Sequence, residues 1–437
     1  MKREEMMVAC LSDLAGKVRG KGFPAAQFEK RQARGIGWVP TNVQITCFDA
    51  IAESSFGSLG DLVLIPDPAA RVRVEFGENE PVEHFAIGNV RHTDGRPWEY
   101  CTRSILTEAL QRLERVSGLT LFGAFEHEFQ FKGRPSPIGD AFSLAGFRAE
   151  RPFAESLIAA LRDAGVTPDT FMKEFGTGQY EVTMGPQRGV TIADHSLITR
   201  EMVQAVAHRL GHKVTFTPIR DPASVGNGVH IHMSVVDEEG RPAFYDPDRP
   251  GGMSLVAARF AAGILEHLPA LCAFTAPSVI SYLRLGPHHW SAGFGTISER
   301  DREATIRIPP LVEIANSDPA RQFNLEFRAA DATACPHLAL AVLVFAGVHG
   351  IIEEIPERPL TQGDVSELDA DERRRLGVKA LPNSLEEALQ ALEADKVVRS
   401  WIPGDLLECH ISVKRTEISL LQGLSPEEAC ERYLRVY

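Results

Sequence analysis

FEHEFQF, residues 125–131, is the stretch from which the rest of this chain can be read. On an extended strand, side chains at i and i+2 point the same way. Glu126, Glu128 and Gln130 then share one face, and Phe125, His127, Phe129 and Phe131 share the other. The aromatic face calls for a packed core behind it. The opposite face sets two glutamates side by side, which costs like-charge repulsion unless a cation sits between them.

Four more segments repeat the pattern. In VHIHMSV (229–235), His230, His232 and Ser234 are cofacial, against Val229, Ile231, Met233 and Val235. Gln179 pairs with Glu181 in GQYEV, Thr305 with Arg307 in ATIRIPP, and Glu326 with Arg328 in NLEFRAA. A single strand of this kind fits a solvated sheet face, but that fit weakens when five carry Glu, His and Arg and none carries Lys. Glutamates with a histidine suit Mg²⁺ or Mn²⁺, which prefer oxygen donors, whereas zinc would come with more histidine or with cysteine. Arginines at 284, 302, 307 and 328 are suited to carboxylate or phosphate. Divalent metal with arginine is equipment for phosphoryl transfer. No GxxxxGK[ST] loop is present, so a nucleotide must be held by other means.

Composition narrows the field. The 437 residues allow two or three domains, and 44% hydrophobic with 24% charged residues is ordinary for a globular protein. A formal net charge of −13 argues against nucleic acid or an anionic membrane as the main partner. Seven scattered cysteines without a CxxC, and a charged N-terminus without an apolar core, predict a reduced, cytoplasmic setting. The long apolar run at 338–352 reads as a buried helix rather than a membrane span.

Along the chain, residues 5–18 read as a short amphipathic helix. VQITCF (43–48), DLVLIP (61–66) and RVRVEF (71–76) read as strands, with Asp67-Pro68 closing the second. A boundary is placed near residue 100. Beyond it, helices are predicted at 104–118 with Gly118 as C-cap, at 155–165, 195–211 and 254–271, and at 384–395 with Ser384 as N-cap.

Taken in order, these motifs resemble the glutamine synthetase family in its short bacterial form, over nearly the whole chain. FEHEFQF, EFGTGQYEV (174–182), GNGVHIHMS (226–234), REATIRIPP (302–310) and NLEFRAADATACPHLALA (324–341) are similar to its successive catalytic stretches. The resemblance implies an α+β fold: a small N-terminal β-grasp domain (1–100), then a catalytic domain (101–437) whose antiparallel strands line a funnel. It implies a homo-oligomer of stacked rings, a dodecamer, with each site completed by a neighbour's N-terminal domain. It implies glutamate, an amine and ATP as substrates, with two or more Mg²⁺ or Mn²⁺ ions per site. Glu128, Glu174 and Glu181 match the ligands of one metal, and Glu126, His230 and Glu326 those of the other. Arg284 and Arg328 match arginines that hold glutamate, and Gly226 a glycine whose carbonyl meets it. Arg302 and Arg307 match arginines near the transferred phosphate, His232 and Ser234 positions close to ATP, and Asp49 an aspartate reaching into a neighbour's amine site. In the implied mechanism ATP phosphorylates the γ-carboxylate of glutamate, and an amine then displaces phosphate from the γ-glutamyl phosphate.

The departures gather around the acceptor. In SYLRLGPHHW (281–290), Trp290 stands six residues after Arg284, where the family carries a glutamate that handles ammonium. An aromatic face can bind an ammonium group or pack an apolar substituent. His288 or His289 is a candidate base, since an imidazole titrates near neutral pH. Val225 replaces a usual asparagine at the glutamate pocket, and Asn324 a frequent arginine near the phosphates. The expected activity is therefore an ATP-dependent γ-glutamyl ligase acting on an organic amine. The alternatives are a glutamine synthetase using ammonia, a ligase for another acid, and a catalytically silent ring-assembly protein. Retention of all six ligand positions, costly as unpaired buried charges, weighs against the last.

Overall fold

Two sheets organise the chain in the computed structural model, which describes residues 3–57, 59–78, 80–133 and 139–437. The smaller holds β1 (Met6–Ser12), β2 (Val18–Pro24), β3 (Ile36–Trp38), β4 (Leu62–Val74) and β5 (Glu83–His92). Its order is β2-β1-β5-β4-β3, with the central β1/β5 pair parallel and the other pairs antiparallel. The larger sheet holds β6 (Thr120–Phe131), β7 (Pro168–Lys173), β8 (Gln179–Met184), β9 (Gln187–Arg188), β10 (Val214–Thr215), β11 (Val229–Val236), β12 (Phe294–Glu299), β13 (Ala304–Ile308) and β14 (Leu325–Ala330). Its main path runs β12-β13-β14-β11-β6-β8-β7, antiparallel except for the parallel β12/β13 pair. This is the α+β arrangement expected from the sequence.

The aromatic face of β6 is buried as the alternation requires: Phe125, Phe129 and Phe131 are all within the core. Helices cover it, among them Thr102–Ser117, which ends on Gly118 in the left-handed conformation, and Thr191–Arg209. Leu255–Thr275 is long and apolar enough to cross a bilayer, yet most of it is buried inside the protein. It crosses the apolar helix Pro336–Ile352 at a glycine contact. A Cβ on Gly263 would stand 2.1 Å from the Ala346 carbonyl oxygen, and one on Gly350 2.0 Å from that of Arg259. All seven cysteines are buried and unpaired.

Three local expectations are corrected. Residues 5–18 are not a helix: β1 alternates, with Met7 and Ala9 fully buried, and the chain turns back into β2. Gly16 makes that turn at φ +68°, where a Cβ would meet the Thr333 carbonyl oxygen at 2.2 Å. VQITCF is not a strand. Pro40–Gln44 forms a 3₁₀ turn, and the loop after it closes with the Thr46 N–H donating to the Ala50 carbonyl at 2.8 Å. DLVLIP and RVRVEF are one strand, β4, whose register against β5 shifts between Pro66 and Arg71. Pro68, lacking an N–H, is tolerated because it falls in that bulge.

Candidate active site

Strand register, not sequence proximity, assembles the polar face. Directly opposed residues on neighbouring strands share a face. Glu181 of β8 opposes Glu128 of β6. Glu126 of β6 opposes His230 of β11, and His232 of β11 opposes Glu326 of β14. Glu326 in turn opposes Arg307 of β13. Five strands thus carry one continuous row of carboxylates, imidazoles and a guanidinium.

At the centre of the row, His230 Nδ1 lies 3.0 Å from Glu126, and His232 Nε2 lies 3.0 Å from its other oxygen. His232 Nδ1 meets the Asn324 amide oxygen at 2.8 Å. Glu326 accepts from Arg307 at 2.8 Å and from Arg328. Donor atoms of Glu126, Glu181 and His230, and those of Glu126, His232 and Glu326, come within 4.8 Å of one another. The grouping differs from the one implied by resemblance: Glu126 is common to both clusters, and His232 joins the second.

The electrostatics match the crowding. Burial, followed by the charges of Glu126 and Glu128, pushes the Glu181 carboxyl up to about 9. Burial and then Glu174 push Glu128 up to about 7, and burial also raises Glu174. Burial opposes ionisation of Glu126 as well, but His232 and His230 hold it well below the usual carboxylate range. Carboxylates crowded into one row, with Glu128, Glu174 and Glu181 resisting ionisation while Glu126 and Glu326 are held ionised beside imidazole nitrogens, are a donor set fitted to a hard divalent cation.

Beside this row lies a recess of ≈ 30 Å³ lined by Glu128, Glu174, Arg284, Val225, Phe175 and Trp290, with His289 and Gly226 also on its wall. Arg284 is buried and spans the wall, donating to Ser291 Oγ at 3.1 Å and to the Ala330 carbonyl at 2.7 Å. A Cβ on Gly226 would stand 2.5 Å from the Arg284 side chain, so only glycine fits there. Arg328 donates to the carbonyls of Arg302 at 2.9 Å and Trp290 at 3.2 Å. The loop after Arg284 is therefore tied to two arginines of the site, Arg284 through Ser291 and Arg328 through Trp290. Trp290 takes φ +51° and is 49% exposed, and its ring meets Phe175 edge-on at 4.9 Å. His289 turns a buried Nδ1 into this region without a hydrogen-bond partner. His288 points away: its N–H donates to Glu303 at 3.0 Å, and its ring lies 3.7 Å from Asp364.

On the far side of Glu126 opens a cleft of ≈ 260 Å³, lined by His232, Ser234, Asn324, Arg321 and Phe323 among others. Arg302 is exposed, yet close enough to Glu174 to lower its affinity for a proton. Asp49 is not brought to the site within one chain. It sits at φ +60° on the loop after the 3₁₀ turn, its side chain 89% exposed.

Two residues were not given roles from sequence. Gln179 Nε2 donates to Glu128 (3.1 Å), the Gly226 carbonyl (2.8 Å) and Asn227 (3.1 Å), while its oxygen accepts from the Gly176 N–H at 2.8 Å. Its cofacial placement with Glu181 was the available signal. Phe175 lies in the loop between β7 and β8, where no periodicity marks it.

Comparison with known proteins supplies the rest. A model of the glutamine synthetase N-terminal domain matches residues 2–98, and one of the glutamine synthetase catalytic domain matches residues 99–433. A γ-glutamylpolyamine synthetase from Streptomyces coelicolor is 33% identical, covering 98% of this chain and 92% of its own. A glutamine synthetase from Thermococcus kodakarensis is 30% identical, covering 92% and 87%. The crystal structure of a novel glutamine synthase homolog superposes with a TM-score of 0.92 at 42% identity, covering 100% of this chain and 99% of the other.

Proposed function

The chain belongs to the glutamine synthetase family, and from that premise we propose that it is an ATP-dependent γ-glutamyl ligase whose acceptor is an organic primary amine. One observation carries the choice of acceptor. Trp290 and Phe175, not a carboxylate, close the recess that holds Arg284, Glu128 and Glu174. Ammonium has no substituent to pack against two rings, and an organic amine has one. The relative named a γ-glutamylpolyamine synthetase supports an acceptor other than ammonia.

In this reading Arg284, Arg328 and the Gly226 carbonyl hold glutamate, while His232 and Ser234 face the nucleotide cleft. A γ-carboxylate oxygen attacks the terminal phosphorus of ATP, forming the acyl phosphate and releasing ADP. Arg302 and Arg307 neutralise charge on the transferred group. The amine nitrogen then attacks the acyl carbon, gives a proton to His289, and phosphate leaves. Glu128, Glu174 and Glu181, with Glu126, His230 and Glu326, would hold Mg²⁺ or Mn²⁺, which supplies charge neutralisation at the phosphoryl oxygens when bound. Residues 1–100 form the unit that a neighbouring copy's site borrows, presenting the exposed Asp49, and 101–437 the catalytic domain. The assembly is then a cytoplasmic ring homo-oligomer.

The test is glutamate- and ATP-dependent phosphate release across ammonium, methylamine, ethanolamine, polyamines and aromatic amines. Turnover with organic amines at concentrations where ammonium is idle is the expected result. Turnover with ammonium alone would make the protein a glutamine synthetase.

A further inference from the structure

We infer that Phe175 and Trp290 together select the acceptor, and that they select primary monoamines carrying an apolar alkyl or arylalkyl substituent over ammonium and over diamines or polyamines. The inference rests on the ligase reading above and narrows its substrate class.

Space is the first ground. The recess is narrow, ≈ 30 Å³, and in the ligase reading glutamate takes its Arg284 and Gly226 wall, which leaves an acceptor room for little beyond its nitrogen. Whatever else an acceptor carries must lie at the mouth. There the two largest groups are Phe175, 53% exposed, and Trp290, 49% exposed. Their rings meet at an interplanar angle of 81°, giving an L-shaped apolar wall. Val225 adds a third apolar side chain to the same lining.

Rigidity is the second. Phe175 sits in a braced turn. The Glu174 N–H donates to the Gln179 carbonyl at 2.9 Å, Gly176 N–H to Gln179 Oε1 at 2.8 Å, and Lys173 Nζ to the Gly176 carbonyl at 2.8 Å. Trp290 is held at a positive φ by the bond from Arg328 to its carbonyl. A non-glycine residue keeps such a conformation only where its surroundings enforce it. Both rings are therefore presented, not loosely hung.

Charge is the third. The carboxylates of the recess, Glu128 and Glu174, lie where the reacting nitrogen belongs. Around them stand Arg284, Arg302 and Arg328, which would repel a second ammonium. Two carboxylates beyond the loop, Glu303 and Asp364, face His288 instead. Within one chain, among the described residues, this wall offers dispersion and hydrophobic burial to carbon and no carboxylate to a distal amine, while the borrowed Asp49 of the ligase reading serves the reacting nitrogen.

The experiment compares kcat/KM for methylamine, butylamine, 2-phenylethylamine and 1,4-diaminobutane, using the full chain with ATP, glutamate and Mg²⁺. In the wild type, 2-phenylethylamine should exceed methylamine by about tenfold or more, since burying each methylene is worth a few-fold, and butylamine should exceed 1,4-diaminobutane by about tenfold, since the diamine brings a second ammonium against an apolar wall. Phe175→Ala and, separately, Trp290→Ala should each collapse the phenylethylamine-to-methylamine ratio by about tenfold. Phe175→Leu should keep most of it. A ratio unmoved in either folded alanine variant, or a preference for the diamine over butylamine, would overturn the inference while leaving the ligase reading intact. Absence of ATP consumption with glutamate and every amine would overturn both.

Discussion

Glu181 shows how much one side chain says about the site. Its carboxyl, pushed up to about 9, and that of Glu128, pushed up to about 7, bind protons more tightly in the folded state than at the ordinary value of 4.5. Stability rises with pH only where the unfolded chain binds more protons, and here the folded chain does. In EDTA, melting temperature should therefore fall as pH climbs from about 5 to 9, and excess Mg²⁺ should restore it more at pH 8.5 than at pH 5.5. A melting temperature flat across that range, with Mg²⁺ or without, would show that these carboxylates do not form a cation site. Trp290 carries the second prediction at this scale. Trp290→Glu supplies a counter-charge beside the recess, so kcat/KM for ammonium relative to an organic amine should rise by about tenfold, the worth of one charge-assisted hydrogen bond. No gain in ammonium use by the folded variant would remove Trp290 from the acceptor site.

At the scale of elements, Gln179 stitches β8 to β6 and to the 226–227 backbone. Gln179→Ala leaves Glu128 and two buried oxygens short of a donor, and should cost about 2–4 kcal/mol in chemical denaturation. A loss below about 0.5 kcal/mol would mean those hydrogen bonds are replaced by water. The strands of the site were legible because alternation is a local property: FEHEFQF and VHIHMSV announce their faces without help. Their register was not legible, since pairing Glu126 with His230 and His232 with Glu326 depends on contacts about 100 positions apart. The same gap explains the misread N-terminus. MMVACLS is too short to separate a strand from a helix by period, and only its pairing with β2 and β5 decides. Phe175 escaped notice because a loop aromatic carries no pattern until its neighbour across the recess is known.

Across the whole molecule, a buried guanidinium on the helix Thr102–Ser117 ties the smaller sheet to the helix Thr191–Arg209. Arg103 donates to both oxygens of Asp194 at 2.9 and 2.8 Å, to Asp67 of β4 at 2.8 Å and to Asn89 of β5 at 3.0 Å. His337 Nε2 lies 2.8 Å from the same Asp194. Arg103→Ala leaves the buried Asp194 with His337 as its remaining partner and should cost about 3–5 kcal/mol, read as a lowered denaturation midpoint or as separate melting of the N-terminal sheet. An unchanged midpoint would deny the tie. Family and fold were readable at this scale because five motifs recur in one order. The acceptor was readable only as a departure, and the structure gives that departure a shape: a small charged recess with two aromatic rings at its mouth. The most direct test of the central claim is the identity of the product when ammonium and 2-phenylethylamine compete at equal concentration, with glutamate, ATP and Mg²⁺ present. Mass spectrometry should find the γ-glutamyl amide of the organic amine in excess. Glutamine as the dominant product would contradict it.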